Sequence, residues 1–121
     1  MPNQSQSPRT RRVAERIQIE LAEILLLRTE DVRLRVLSVT AAEVTRDFSL
    51  ARVWISGAPS KEDEPGVLRA LEHATPYFRS LLAPRLKLRI VPDLHFEFDR
   101  SIETGTRIEQ LLRELREPSD D

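Results

Sequence analysis

In the segment DLHFEFD, His95, Glu97 and Asp99 stand at alternate positions, which puts them on one face of a β-strand. An imidazole and two carboxylates gathered in this way could hold a divalent ion and aim a bound water at a phosphodiester, the chemistry of a metal-dependent nuclease. The same alternation is what the solvated face of any half-buried strand shows, and no second cluster in the chain completes such a site. His73, the other histidine, stands alone on a different segment. There is no glycine-rich phosphate loop, no G-x-S-x-G and no H-E-x-x-H, so those nucleotide-binding and hydrolytic classes are excluded.

A second chemistry is available in HATPYFR. Thr75-Pro76 has the form of a helix start, threonine as N-cap and proline at the first helical position. On that reading the amphipathic stretch from Arg69 to Arg89 is two helices meeting at residue 75. The second would offer free backbone N–H groups near Tyr77 and Phe78, a seat for a phosphate with Arg79 within a turn. The alternative is a kink that only lets one amphipathic element wrap the sheet.

Cations that could meet phosphate are gathered in two places. RTRRVAER holds Arg9, Arg11, Arg12 and Arg16; RSLLAPRLKLR holds Arg79, Arg85, Lys87 and Arg89 with no acid among them. Acids fill KEDE at 61–64 and the last residues, Glu114 to Asp121, so a two-sided molecule is expected. Solvation of helices is the competing role for such charges, since 32% of the residues are charged. The net charge of −1 argues against a generic basic coat for nucleic acid.

Several elements must position these groups. Val13, Ile17, Leu21, Ile24 and Leu25 recur at three- and four-residue steps and predict a helix from Arg9 to about Leu27, with its basic end at the N-terminus. RVLSVTAAEV and LARVWIS, separated by TRDFS, predict a hairpin whose second strand puts Ala51, Val53 and Ile55 on one face and Trp54 on the other, there for packing. After the loop GAPSKEDEPG, the apolar stripe Val67, Leu71, Ala74, Phe78 and Leu81 runs across the proline. DLHFEFD is a third strand, with Leu94, Phe96 and Phe98 on its buried face. A last helix, marked by Ile102, Ile108, Leu111, Leu112 and Leu115, follows Ser101. The fold class is therefore α+β, helices on a three-stranded sheet.

A chain of 121 residues suits one domain. Residues 1–8 are expected to be a disordered tail, 9–117 the folded domain and 118–121 an acidic tail. The chain has no cysteine, which excludes thiolate catalysis and disulfides and leaves no sign of an oxidising compartment. Its longest apolar run, ILLL at 24–27, cannot span a bilayer, so a cytoplasmic protein with no membrane partner is expected. No helix shows a clear unpartnered apolar face, so the expected state is a monomer.

The chain resembles the ribosome-binding factor A family of bacterial small-subunit assembly factors. The resemblance runs through RVAERIQIELAEIL, DVRL, SVTAAEVTRDFSLARVWIS, ALEHATPYFRSLLAPRLKLRIVPDLHFEFD and SIETGTRIEQLL, about Arg9 to Leu115. It implies a type II KH-like domain, helix-strand-strand-helix-kink-helix-strand. It implies no enzyme and no cofactor, but a factor that binds the immature small (30S) subunit and its 16S rRNA and assists late maturation and end processing, with importance in the cold. The family's Ala-x-Gly kink falls on Ala74, Thr75 and Pro76, with proline where glycine is usual. Val32 and Arg35 stand where proline and glycine are frequent. The rRNA-binding residues implied are Arg9, Arg11, Arg12 and Arg16 together with the junction and Arg79, Arg85, Lys87 and Arg89. The competing readings are the nuclease above and a protein-interaction module without RNA.

Overall fold

The periodic apolar residues of the first segment do form a helix, α1 (Pro8–Leu27), in the computed structural model, which describes residues 7–101. Ser7 caps it, its hydroxyl accepting from the Thr10 N–H at 3.2 Å, and Pro8 fills the first turn. Both residues, grouped by composition with the tail, are thus part of the helix end. A single helical turn, α2 (Val32–Arg35), follows where Arg35 to Leu37 were expected to begin a strand. Asp31 causes this by accepting from the Arg33 N–H at 3.0 Å, and the turn lays Leu34 into the core.

Strands β1 (Ser38–Val44) and β2 (Leu50–Ser56) pair antiparallel. The register slips between Val39 and Ala41, leaving Thr40 as a bulge. The extra residue resets the side-chain parity, so that Val39 on one side of it and Ala42 and Val44 on the other all pack against the core. A 3₁₀ turn at Lys61–Asp63 leads into α3 (Glu64–Leu86), and β3 (Asp93–Phe98) returns parallel to β2. The sheet order is β1-β2-β3.

Both long helices cover one face of this sheet. Ile17, Leu21, Ile24 and Leu25 from α1 and Val67, Leu71, Phe78 and Leu82 from α3 close over Val53, Ile55 and Phe96. The Phe78 and Phe96 rings meet edge to face, with centroids 6.2 Å apart. Ala51, Val53 and Ile55 point inward as expected; Trp54 points outward and is nonetheless buried, with the Arg52 guanidinium 4.9 Å from its ring. Contrary to expectation, α1 keeps apolar residues in water, with Ile19, Leu26 and Leu27 each more than half exposed. The expected C-terminal helix and the outer tail residues lie outside the described residues.

The β1–β2 turn is locked by one carboxylate. Asp47 accepts from the Ser49 hydroxyl at 2.7 Å, the Ser49 N–H at 3.0 Å and the Thr45 hydroxyl at 2.8 Å. These donors, the Ser49 hydroxyl foremost, hold its pKa down from 3.8 to about 2. A depressed carboxylate contributes stability that is fully present above its unfolded pKa and is lost as pH falls through the folded one. The Asp47→Ala variant should therefore be less stable than the parent in urea denaturation above pH ~4.5, with the gap narrowing as pH falls toward 2; a gap independent of pH contradicts this account of the turn.

Candidate nucleic-acid interface

The topology collects the exposed cations of distant segments at one end of the molecule. The first turn of α1 lies against the β1–β2 turn, where the Arg9 guanidinium sits 5.1 Å from the Phe48 ring. The start of β3 joins the same turn through the Asp93 N–H, which donates to the Ser49 carbonyl at 2.9 Å. The last turns of α3 are tied to the start of β3 by Arg79. Arg9, Arg11 and Arg12 of α1, Arg46 of the turn, and Lys87 and Arg89 of the α3–β3 loop belong to these segments, whereas Arg16 lies further along α1 and pairs with Glu20. Of these, the side chains of Arg11, Arg12, Arg46, Lys87 and Arg89 have no hydrogen bond or ion pair among the described residues.

Two other cations of the expected set are committed to the fold. Arg79 donates to the Pro92 carbonyl at 3.1 Å and the Val91 carbonyl at 2.7 Å, and its Nη1 lies 3.3 Å from Asp93 Oδ1. It clamps α3 to the incoming strand. Arg85, with its side chain 22% exposed, lies 3.6 Å from Glu20 Oε2 and 3.8 Å from Glu23. Glu20, also 3.2 Å from Arg16, is nearly buried, and neither its Oε2 nor Arg85 Nη1 has a hydrogen-bond partner, so the pair is held by charge alone.

The expected helix start at Thr75-Pro76 is corrected. Helix α3 runs unbroken from Glu64 to Leu86 with Pro76 and Pro84 inside it. The Thr75 hydroxyl donates back to the Leu71 carbonyl at 2.9 Å instead of accepting from the following turn, so there is no fresh N-terminus and no phosphate seat of backbone N–H groups at residues 75–78. Both prolines survive because they lie on the solvent side of the helix. Each leaves the carbonyl four residues earlier, at Glu72 and Ser80, without its helical donor, and both of these residues are exposed, so water can satisfy them.

What stands beside Ala74 is a cleft between the α1–α2 connection and α3, of about 930 Å³. Gly66, Ala70 and Ala74, at four-residue steps along α3, line it on one side, and their short side chains leave its space unfilled. Arg28, Arg33, Arg69, His73 and Tyr77 stand around it.

On the outer face of the sheet, Glu97 accepts from Arg52 at 2.6 and 2.9 Å, and His95 lies 3.7 Å from the same carboxylate oxygen. Asp99 turns away. It accepts from the Ser101 hydroxyl, the Thr40 hydroxyl and the Ser101 N–H, which lower its pKa, the Ser101 hydroxyl most of all. The three residues that share a strand face in sequence therefore do not converge, and among the described residues no group of three His, Asp or Glu is arranged to hold a metal ion.

The profile of the family described as ribosome-binding factor A matches residues 9–112 of this sequence. The chain belongs to the ribosome-binding factor A family. A relative of that name from Staphylococcus carnosus is 37% identical over 107 residues, which is 88% of this chain and 93% of that one. The crystal structure of ribosome-binding factor A from Thermus thermophilus superposes with a TM-score of 0.67 at 30% identity, over 76% of this chain and 97% of that one. A homology model of the Thermus factor, fitted into a cryo-EM map of its complex with the 30S subunit, superposes with a TM-score of 0.59 at 31% identity, over 72% and 91% of the two chains. The KH-like α+β fold expected from the sequence is the fold of this family, with a proline-bearing helix where two helices were expected to meet.

Residues not singled out in the sequence also stand at these surfaces. Arg46 was visible in the turn TRDFS, beside the cluster it joins only in space. Arg28 and Arg69 gave no local signal, since their grouping depends on how α1 and α3 cross. The division between free and committed cations is testable by stability. Arg85→Ala leaves Glu20 with Arg16 alone and should cost about 1–2 kcal/mol in urea denaturation. Arg12→Ala should change stability by less than about 0.5 kcal/mol; equal effects would contradict the division.

Proposed function

We propose that this chain binds the small ribosomal subunit through rRNA phosphates met by its basic end, and assists late maturation of 16S rRNA in the cytoplasm without catalysis. The observation that carries the reading is the set of arginines and a lysine, drawn from α1, the β1–β2 turn and the α3–β3 loop, that have no partner among the described residues. Guanidinium groups unpaired among the described residues, on one end of a chain with net charge −1, favour orientation over general adhesion. The Thermus factor whose fitted complex with the 30S subunit shares this fold supports the same partner.

The mechanism is a population shift. A factor that binds one arrangement of immature rRNA better than its competitors raises the share of that arrangement, and no bond need be made or broken. To take an arrangement from about 1% to about 99% it must bind that form roughly 10⁴-fold more tightly than the alternatives. Phosphate contacts position the protein on the RNA and supply affinity without sequence information. The rival nuclease reading has less support, because Glu97 and Asp99 are spent on Arg52, Ser101 and Thr40. As for membranes, no helix among the described residues is long and apolar enough to cross one.

Sedimentation of the purified protein with small subunits through gradients at two salt concentrations tests the proposal. With about five phosphate contacts, association at about 50 mM salt should weaken on the order of 10²-fold at about 200 mM. Absence from the small-subunit fraction at the lower salt would overturn it.

A further inference from the structure

The cleft between the α1–α2 connection and α3 lies apart from the cluster of exposed cations at the start of α1. We infer that it takes one unpaired nucleotide of RNA, the base against Tyr77 and the phosphate between Arg33 and Arg69. The inference rests on the proposed rRNA binding and adds to it a contact made to a base.

Three observations carry it. First, the volume of about 930 Å³ lies within the range of ligand sites, roughly 300–1,000 Å³. Second, two guanidinium groups converge over Gly66. A Cβ built there would lie 3.3 Å from Arg33 Nη1 and 3.8 Å from Arg69 Nη2, so both guanidinium groups lie over the same point of α3. Asp31 engages Arg33 through Nε and Nη2 at 3.1 and 2.7 Å and leaves Nη1 with its donors unused. Arg69 has no partner among the described residues. Arg69 and the unused Nη1 of Arg33, whose charge Asp31 already meets, together offer spare donors that suit a single anion taking hydrogen bonds from both. Third, Tyr77 is 47% exposed, an aromatic ring on the cleft wall that is not spent on the core.

A ring beside a cationic pair is the arrangement that holds unpaired bases, which stack on aromatic faces while their phosphates are neutralised. A base inside a duplex cannot reach such a ring. Glu30 and Asp31, which also line the cleft, disfavour a dense polyanion and so favour a single phosphodiester over a polyphosphate.

The test is a titration of the full chain, and of Tyr77→Leu, Tyr77→Phe and Arg69→Gln, with a single-stranded RNA hexanucleotide, an RNA duplex and adenosine monophosphate, following the Tyr77 ring signals by NMR alongside affinity. For the hexanucleotide, Tyr77→Leu should weaken binding about tenfold and Tyr77→Phe should preserve it. Arg69→Gln should weaken it and lower the salt slope by about one contact. Duplex binding should be the same in the parent and Tyr77→Leu. Hexanucleotide binding unchanged by Tyr77→Leu, with no movement of the ring signals, overturns the inference and leaves the proposed function standing. Adenosine monophosphate held as tightly as the hexanucleotide assigns the cleft to a free nucleotide and also overturns it. If the parent binds neither the RNAs nor small subunits, the proposed function itself fails.

Discussion

The parallel pairing of β3 with β2 is the constraint from which the arrangement of this molecule follows. Parallel neighbours cannot be joined by a tight turn, so the chain must travel back along the sheet before β3 begins. Helix α3 makes that journey. Its 23 residues span about 34 Å, against roughly 20 Å for the six-residue β3, so it overshoots the sheet and delivers its last turn and the following loop beyond the strand ends. The β1–β2 turn and the start of α1 already occupy that end. Three segments that carry exposed cations, far apart in sequence, are therefore neighbours.

This concentration of like charge has a cost that the fold distributes. Cations in the first turn of α1 oppose the helix dipole by about 0.3–1 kcal/mol each, a sizeable sum for a domain whose stability is of the order of 5–15 kcal/mol. At the opposite end the charges suit the fold. Glu64 begins α3, where an acid is favoured, and pairs with Arg100 at 2.6 Å. Arg79 and Arg85 bind α3 to β3 and α1. Among the described residues the cations with no such duty are left without a partner, and an incoming phosphate would remove the repulsion among them.

Much of this was legible in the sequence. The three- and four-residue steps in α1, the alternation in DLHFEFD and the turn chemistry of TRDFS report local backbone geometry, which depends on near neighbours. The duties of the arginines were not legible. Arg85 meets Glu20 and Arg79 meets Pro92 only because α3 packs across α1 and ends beside β3, and no local pattern separates such residues from Arg12 or Arg89. Thr75-Pro76 misled for a related reason. The pair is a good helix start in isolation, but continuous packing of Leu71, Phe78 and Leu82 into one core holds the helix through the proline, and solvent satisfies the carbonyl it orphans.

The central claim is that the free cations at one end, and not the committed ones, meet the rRNA backbone. It is tested most directly by the salt dependence of affinity for the small subunit, measured for the parent and for a variant carrying Arg11→Gln, Arg12→Gln, Lys87→Gln and Arg89→Gln. Loss of four phosphate contacts should make the slope of log affinity against log salt shallower by about 3. An unchanged slope, in a variant that folds as the parent does, would contradict the account.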